Sequence, residues 1–341
     1  MVTQWAVRVL LAVAFFTGAA VLTAEQQTLT VAAVQFEVNE DTYRNPQRFE
    51  RRVSALAEEA ADEGADLVVF PEYINVFLLF DDYSASIRRS DTAQEALARI
   101  VGQREDEAGR ADTDGAADVN GFDETADADT VLRRILEDGA AETEDHIVEL
   151  WGRIARRENV HIVAGTYFAV TTAPVEGGDG PALVNRALVF GPDGDRVHEQ
   201  DKSFLTPFES DRIGLESSTP GQIDTFEVDE FEVAVTICRD SFFEEWEPRF
   251  RDADLWLELR ANGEPYTQEV RRRFEGALAE RVASTPVPAG MSSGLTGSFL
   301  DFLWEGPAYV VDDDGTRVES SEDARGTDIV FSTVRKNDSS D

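Results

Sequence analysis

Residues 65–72 read Ala-Asp-Leu-Val-Val-Phe-Pro-Glu, a short apolar strand that ends in a proline and Glu72. A second apolar strand, Leu29–Phe36, comes before it, and the segment between the two has helical periodicity. An asparagine–proline pair at residues 45–46 marks the start of that helix, and Gly64 marks its end. A strand–helix–strand unit predicts an α/β fold with parallel strands, and it places Glu72 at the carboxyl end of a strand, where open α/β sheets tend to carry chemistry.

The rest of the chain continues the alternation of strands and helices. A strand over Phe231–Ile237 leads directly into Cys238, and the Gly-Pro-Asp-Gly stretch at residues 191–194 predicts a hairpin turn. The further predicted elements are a strand at Val160–Tyr167, hairpin strands at Leu183–Phe190 and Val197–Phe204, strands at Asp224–Val228, Ala253–Leu259 and Pro286–Met291, a helix at Glu269–Ala283, and a closing hairpin-like pair at Pro307–Val311 and Ile329–Val334.

These elements predict one domain over residues 28–335, followed by a polar tail at 336–341. Between about residues 103 and 130 the sequence consists mainly of Asp, Glu, Ala, Gly and Thr, which predicts an acidic surface insertion. Two interpretations of this insertion stay open, a solvated loop and a lid over the substrate.

The charge balance limits the classes of partner. The chain has 68 acidic and 31 basic residues, a formal net charge of −37, which argues against nucleic acid and anionic membranes and leaves a small molecule as the expected partner. Only Lys202 and Lys336 are lysines. Excess carboxylate with so little lysine is typical of a halophilic protein, and it predicts loss of structure in dilute buffer.

Residues 1–24 differ from everything after them. Arg8 is the only side-chain charge before Glu25, and Val9–Leu22 is almost entirely apolar. The segment has the features of a signal peptide, and the alternative is an uncleaved N-terminal anchor. The protein is therefore expected to be exported, to the periplasm or the medium, or anchored at the outer side of the cell membrane, with no membrane span beyond that anchor.

Cys238 is the only cysteine, so no internal disulfide can form, and it is either a buried apolar residue or a nucleophile. A nucleophilic thiol needs a base or a positive environment. The three histidines, His146, His161 and His198, lie outside any recognisable nucleophile motif, although His198 is the least unfavourable partner for a cysteine–histidine dyad. The sequence shows no metal-ligand spacing and no nucleotide fingerprint, so we expect neither a metal nor a cofactor.

Three segments together resemble the catalytic segments of the nitrilase, or carbon–nitrogen hydrolase, superfamily. They are residues 64–72 (Gly-Ala-Asp-Leu-Val-Val-Phe-Pro-Glu), 201–209 (Asp-Lys-Ser-Phe-Leu-Thr-Pro-Phe-Glu) and 233–240 (Val-Ala-Val-Thr-Ile-Cys-Arg-Asp). The resemblance extends from about Leu29 to Val334. It implies a four-layer α-β-β-α sandwich, commonly assembled as a homodimer.

The resemblance also implies the roles of individual residues. Glu72 would be the general base, Cys238 the nucleophile and Lys202 the group that stabilises the oxyanion, while Glu209 matches a supporting second acid. Arg239 departs from the uncharged residue that many members carry after the nucleophile, and it either recognises an anionic group or pairs with Asp240 or Glu209. Substrate-binding candidates beside these segments are Tyr73, Phe208, Arg239 and Phe242.

Three functions from different classes follow from this pattern. The first is hydrolysis of a non-peptide carbon–nitrogen bond, in an amide, ureide or carbamoyl compound rather than a nitrile. The second is acyl transfer through the same thioester, and the third is ligand binding by an exported protein on an inactive scaffold. Family members that acylate lipoproteins carry flanking membrane helices, which this sequence does not show. The complete set of Glu72, Lys202 and Cys238 argues against the third function, although Arg239 leaves room for it.

Overall fold

The computed structural model describes residues 27–113, 128–171 and 181–336. Within them the helices are α1 (Pro46–Asp62), α2 (Ser84–Ile87), α3 (Ala93–Thr113), α4 (Ala128–Glu158), α5 (Glu247–Phe250) and α6 (Gln268–Ala283). The strands are β1 (Thr28–Val38), β2 (Leu67–Val69), β3 (His161–Thr171), β4 (Ala182–Phe190), β5 (Arg196–Asp201), β6 (Phe226–Val228), β7 (Phe231–Ile237), β8 (Leu255–Arg260), β9 (Ala289–Phe299), β10 (Phe302–Trp304), β11 (Tyr309–Asp312), β12 (Arg317–Ser320) and β13 (Asp328–Arg335).

The first strand–helix–strand unit forms as its sequence predicts. The Asn45 side chain accepts a hydrogen bond from the Arg48 backbone N–H at 3.0 Å, which caps α1 at its N-terminus. Gly64 follows the helix with a φ of 88°, a left-handed conformation that suits glycine. β1 and β2 then pair in parallel, with Val31 opposite Leu67, so that Glu72 follows the carboxyl end of β2.

All strands of the described residues belong to one hydrogen-bonded sheet, whose main path runs β5-β4-β3-β2-β1-β9-β8-β7-β6. β1, β2 and β3 are parallel, and β7, β8 and β9 are parallel. The two halves meet where β1 pairs with β9, from Gln35 opposite Gly294 to Val38 opposite Gly297. The three segments that carry the family resemblance lie far apart in sequence but belong to two halves of the same sheet.

Apolar side chains on the inner faces of the two halves pack together into one core. Leu67 and Val163 come from one half, Val235 and Leu257 from the other, and all four are inaccessible or nearly so. On the outer faces, α1 and α4 cover the first half, and α6 covers the second. These layers confirm the predicted α-β-β-α sandwich.

The C-terminal strands differ from the prediction. Pro307–Val311 was expected to pair with Ile329–Val334, but β11 pairs with β12, whereas β13 pairs antiparallel with β1, with Thr28 opposite Arg335. The short turn after β11 leads into an adjacent strand, as hairpins do. The partner of β13 is fixed by long-range packing, which local periodicity does not contain.

Helices α3 and α4 extend into both ends of the predicted insertion at 103–130. Beside it, Ile100 and Ile135 pack together as a small buried cluster. The central residues 114–127, the predicted signal or anchor at 1–24 and residues 337–341 of the predicted tail lie outside the described residues. Across the described ranges, no helix combines the length and apolar character needed to cross a membrane.

Candidate active site

Three strand ends meet at one cavity, although they are spread over the sheet. Glu72 follows β2, Lys202 follows β5, and Cys238 follows β7. A hydrogen bond from Gln200 Nε2 on β5 to the Val235 carbonyl on β7, 2.8 Å long, ties the two halves together close to the site. The structure thus brings together all three residues that the sequence analysis selected.

Glu72 is fully buried, and one of its oxygens carries the hydrogen bonds. Oε1 accepts from Lys202 Nζ at 2.7 Å and from Asn185 Nδ2 at 3.0 Å. Oε2 has no conventional hydrogen-bond partner among the described residues. Burial raises the pKa of Glu72 to about 7, against the opposing effect of Lys202. A carboxylate with a pKa near neutrality and one free oxygen is suited to accept and return a proton.

Lys202 is completely buried between two carboxylates. Its Nζ lies 2.7 Å from Glu72 Oε1 and 2.9 Å from each oxygen of Glu209. Burial alone lowers the pKa of Lys202, but the charges of Glu72 and Glu209 more than offset this effect and raise it. The side chain therefore stays a cation in the site.

Glu209, the second predicted acid, is fixed from several sides. Besides Lys202, its oxygens accept from the Tyr73 hydroxyl at 2.6 Å and from the Thr206 backbone N–H at 2.8 Å. Burial raises the pKa of Glu209, but Lys202 and the Thr206 N–H outweigh it, so the pKa is lowered overall. Glu209 thus provides a permanent negative charge beside the lysine.

Asn185 is a site residue that the sequence analysis missed. Its Nδ2 donates to Glu72 Oε1 at 3.0 Å and to Glu209 Oε1 at 3.1 Å, so that one amide bridges the two carboxylates. The available signal was an asparagine in the middle of β4, a strand whose residues are buried throughout. A buried amide needs hydrogen-bond partners, and these lie on other segments.

Cys238 occupies a strained turn at the end of β7. Its φ is 51°, a left-handed conformation that is costly for a residue with a side chain, and it is followed by a 3-10 turn over Cys238–Phe242. Its exposed fraction is 6%, and burial together with the Glu72 charge raises the pKa of the thiol well above its usual range. The thiol is therefore neutral at rest and needs a base to react.

Asp240 holds this turn against the loop that carries Lys202. One carboxylate oxygen accepts from the backbone N–H groups of Ser203 and Phe204, at 3.2 and 2.8 Å, and the other accepts from the Ile237 N–H at 3.2 Å. The sequence analysis quoted Asp240 in the cysteine motif but considered it only as a partner of Arg239. Its observed contacts fix the lysine loop relative to the nucleophile.

A bulge in β3 supports the backbone around Glu72. The register of β3 shifts between Val163 and Thr166, and Gly165 there has a φ of 68°. A Cβ atom on Gly165 would lie 2.2 Å from the Pro71 carbonyl oxygen. After the bulge, Thr166 Oγ1 accepts from the Tyr73 N–H at 2.8 Å. The close approach of these two backbones requires glycine at position 165.

The site opens into a cavity of about 840 Å³, which Glu72, Lys202 and Cys238 line. All four predicted substrate-binding residues also line it, namely Tyr73, Phe208, Arg239 and Phe242. Neither predicted ion pair of Arg239 is present: its guanidinium donates to the Leu205 carbonyl and lies 5.7 Å from the centre of the Phe243 ring. Arg239 is therefore a cationic part of the cavity wall.

The histidine alternative receives no support from the geometry. His198 stacks on Phe226, with ring centres 5.2 Å apart, and burial lowers its pKa. The cavity of Cys238 is lined by none of the three histidines. Within the described ranges, no cluster of three or more histidine, cysteine or acidic side chains is arranged to hold a metal ion.

Comparison with known proteins identifies relatives of this chain. The model of the family described as carbon–nitrogen hydrolase matches residues 30–246, which is well over half of the chain and includes the segments of Glu72, Lys202 and Cys238. Comparison with curated protein sequences gives no significant match.

Solved structures share the fold at low sequence identity. A mutant amidase from Nesterenkonia sp. AN1, with acrylamide added at its active-site cysteine, is 14% identical, and the match covers 89% of this chain and 92% of the amidase with a TM-score of 0.57. Nit3 from Saccharomyces cerevisiae, a nitrilase superfamily member, is 17% identical over 91% and 90% of the two chains, with a TM-score of 0.59. A carbon–nitrogen hydrolase from Helicobacter pylori G27 is 13% identical over 90% and 88%, also with a TM-score of 0.59.

Proposed function

The chain belongs to the carbon–nitrogen hydrolase family, and we propose that it hydrolyses the non-peptide carbon–nitrogen bond of an amide, ureide or carbamoyl compound through a thioester on Cys238. The observation that carries this proposal is the hydrogen-bonded cluster of Glu72, Lys202 and Glu209, which is buried beside the only thiol of the chain. A nucleophile, a base and a fixed cation in one cavity are the groups that acyl transfer requires.

In the first step, Glu72 accepts the thiol proton as Cys238 Sγ attacks the carbonyl carbon. The pKa of the thiol is raised, so the proton transfer and the attack belong to one event instead of starting from a stable thiolate. Oε1 of Glu72 is already occupied by Lys202 and Asn185, which leaves Oε2 to take the proton. The carbonyl oxygen becomes an oxyanion.

Lys202 stabilises that oxyanion. An ammonium group has three N–H donors. One is directed to Glu72, and the two oxygens of Glu209, both 2.9 Å from Nζ, can share a second, which leaves the third for the substrate. The backbone N–H of Arg239 is the second donor to the oxyanion. The charge on Lys202 is held in place before the reaction, so its reorientation does not add to the barrier.

The tetrahedral intermediate collapses when Glu72 returns its proton to the departing nitrogen, which leaves as ammonia or an amine. Glu72 then takes a proton from a water molecule that attacks the thioester carbonyl. The second intermediate breaks its carbon–sulfur bond, the acid is released, and the proton on Glu72 returns to Cys238. The balance is one amide bond and one water converted to a carboxylic acid and an amine.

The test is incubation of the protein in molar salt with simple amides, carbamoyl amino acids and nitriles. Intact mass and released ammonia are recorded for the wild type and for Cys238→Ala. We expect a transient adduct with release of ammonia or amine, both absent from the variant. Folded protein that gives neither adduct nor release with any compound would contradict the proposal. Hydrolysis and acyl transfer are separated with water as the only acceptor, because a hydrolase then turns over and releases the acid whereas an acyltransferase accumulates the adduct.

A further inference from the structure

A second cavity, of about 340 Å³, lies beside the catalytic one. It is formed by side chains of α3 and α4, the turn after β2, and the β9–β10 region. Apart from Gln94 and Arg212, every residue of its lining is apolar or aromatic. Both cavities fall in the size range of small-molecule sites, about 300–1,000 Å³.

The two cavities share a wall, which we call the aromatic partition. It consists of Tyr73, Phe208, Phe302 and Trp304, each of which lines both cavities. Phe208 and Phe302 meet edge to face with ring centres 5.7 Å apart. Tyr73 follows Glu72 in sequence and donates its hydroxyl proton to Glu209 at 2.6 Å. The apolar cavity thus begins at Tyr73, which contacts the Glu209 carboxylate beside Lys202.

The partition is not an ordinary piece of core. Phe208 has an exposed fraction of 46%, among the highest of the large apolar side chains in the described part of the chain. Exposed apolar surface in a pocket is costly in water, and its burial by a ligand is favourable by about 25 cal/mol per Å². The chain has a net charge of −37, so an almost entirely apolar cavity beside the cavity of Cys238 differs sharply from the overall composition.

The catalytic cavity differs from the second one in the charged groups of its lining. Lys202, Arg239 and Arg273 line it together with Glu72, Glu264 and Asp301. Charged groups of both signs suit the polar carbon–nitrogen group of a substrate, and the aromatic rings of Phe242, Phe243 and Phe274 line the same cavity. A cavity with charged groups beside one that is lined almost entirely by apolar side chains matches a molecule with one polar and one apolar end.

We infer that the second cavity binds an aliphatic or aromatic hydrocarbon group of the substrate, while the carbon–nitrogen bond of the same molecule lies at Cys238. This inference rests on the proposed function and narrows it to amide-type compounds with an apolar substituent. Short amides occupy the catalytic cavity alone, so they do not gain the favourable free energy of burying an apolar group in the second cavity.

The test uses alkylation of Cys238, because it is the only thiol and its reaction requires no turnover. Rates with N-hexyliodoacetamide and with iodoacetamide are measured by intact mass, and their ratio is divided by the same ratio for glutathione. We expect a normalised ratio of about ten or more, because a methylene buried in an apolar pocket contributes about tenfold or more in discrimination.

Two alanines of α3 provide a matched pair of variants. Ala93 lines the second cavity and is half-buried, whereas Ala98 is exposed and lines neither cavity. Ala93→Trp fills the cavity and should reduce the normalised ratio about tenfold, and Ala98→Trp should retain the wild-type ratio. Leu97→Gln, which makes the lining polar without changing the volume greatly, should also reduce the ratio and covers the case that Ala93→Trp does not fold.

A normalised ratio near one in the wild type, or a high ratio that survives both Ala93→Trp and Leu97→Gln, would overturn the inference. Hydrolysis of acetamide and hexanamide is measured separately. Cys238-dependent hydrolysis of acetamide with a normalised ratio near one would reject the second cavity and keep the proposed function. A high ratio that the variants reduce, without hydrolysis of any amide, would support the cavity and reject the proposed function.

Discussion

The protonation states of Glu72 and Cys238 determine how the site starts a reaction. Burial raises the pKa of the Glu72 carboxyl to about 7. Burial and the Glu72 charge also raise the pKa of the Cys238 thiol well above its usual range. At neutral pH the thiol holds its proton, and part of the Glu72 population is ionised. In the proposed mechanism, the rate of reaction therefore depends on the fraction of Glu72 that is deprotonated, which increases as the pH rises.

We predict that the rate of Cys238 alkylation by iodoacetamide rises between pH 6 and 8 with a midpoint near 7, the pKa to which burial raises the Glu72 carboxyl. Glu72→Gln should remove this step and slow alkylation at pH 8 about 100-fold, a typical contribution of a general base. The measurement is the pH dependence of the mass increase. Glu264→Gln, which changes an exposed carboxylate of the same cavity, is the matched control and should keep the profile.

The negative charge of Glu72 and its basicity have opposite effects on the rate of Cys238 alkylation. That charge raises the pKa of Cys238, so its removal alone would make the thiol more acidic and more reactive. Faster alkylation of Glu72→Gln than of the wild type at pH 8 would therefore reject the role of general base.

The site residues that were predicted stand in distinctive local motifs, whereas those that were missed are defined by contacts between distant segments. Glu72, Lys202 and Cys238 were found because each stands in a distinctive local segment. Asn185 was not found, because its role consists of contacts with two carboxylates that are 113 and 24 residues away. Asp240 was visible in a motif, but its three backbone partners were not.

At the scale of elements, the β3 bulge links strand geometry to the position of Glu72, the proposed base. Gly165 brings β3 against the Pro71 carbonyl, and the neighbouring Thr166 and Ala164 hold the following turn through Tyr73 and Asn75. The turn after β2 therefore takes its position from a neighbouring strand as well as from its own sequence.

We predict that Gly165→Ala displaces this turn and lowers kcat/KM for a hydrolysed amide at least about 10-fold, because a shift of about 1 Å in a catalytic group costs up to about 100-fold. It should also lower the midpoint of thermal unfolding, since a Cβ 2.2 Å from a backbone oxygen must be relieved by movement. Gly276→Ala is the control, because its Cβ meets only a side-chain oxygen at 3.7 Å within a helix. Equal activity of the Gly165→Ala variant and the wild type would show that the bulge does not position Glu72.

The elements themselves were largely predictable, because strand alternation and helix capping are local. The boundaries of β7 and α6 agree closely with the sequence pattern. The predicted partner of β13 was wrong, and β9 begins at Ala289 instead of at the predicted Pro286. Pairing and register depend on distant strands, and a proline without an N–H is a poor member of a central ladder.

At the scale of the whole molecule, electrostatic repulsion opposes the compact state. The net charge of −37 is distributed over a fold whose described ion pairs are mostly exposed arginine–carboxylate contacts, such as Arg99–Glu95 and Arg153–Glu50. Each such pair contributes only about 0–1 kcal/mol to the free energy of unfolding, so these pairs do not offset the repulsion among the excess carboxylates. Screening by salt acts on all of these charges together.

We predict that the midpoint of thermal unfolding rises by about 10 °C or more between 0.1 and 3 M KCl, as the screening length falls from about 10 Å to below 3 Å. Circular dichroism during heating measures the change. Sucrose at matched osmolality is the control, because it does not screen charge and should give a smaller increase. An unfolding midpoint that is independent of KCl would contradict the halophilic interpretation of the composition.

The pairing of β1 with β13 sets an order of events during biosynthesis. β1 is made early, yet the edge of Thr28–Gln35 finds its partner only when residues 328–335 have been synthesised, about 300 residues later. A ribosome-bound intermediate therefore presents an open strand edge while the residues between β1 and β13 are synthesised. Holdase chaperones that cover such an edge would raise the yield of this protein, and a nascent chain arrested before residue 328 should be protease-sensitive at β1.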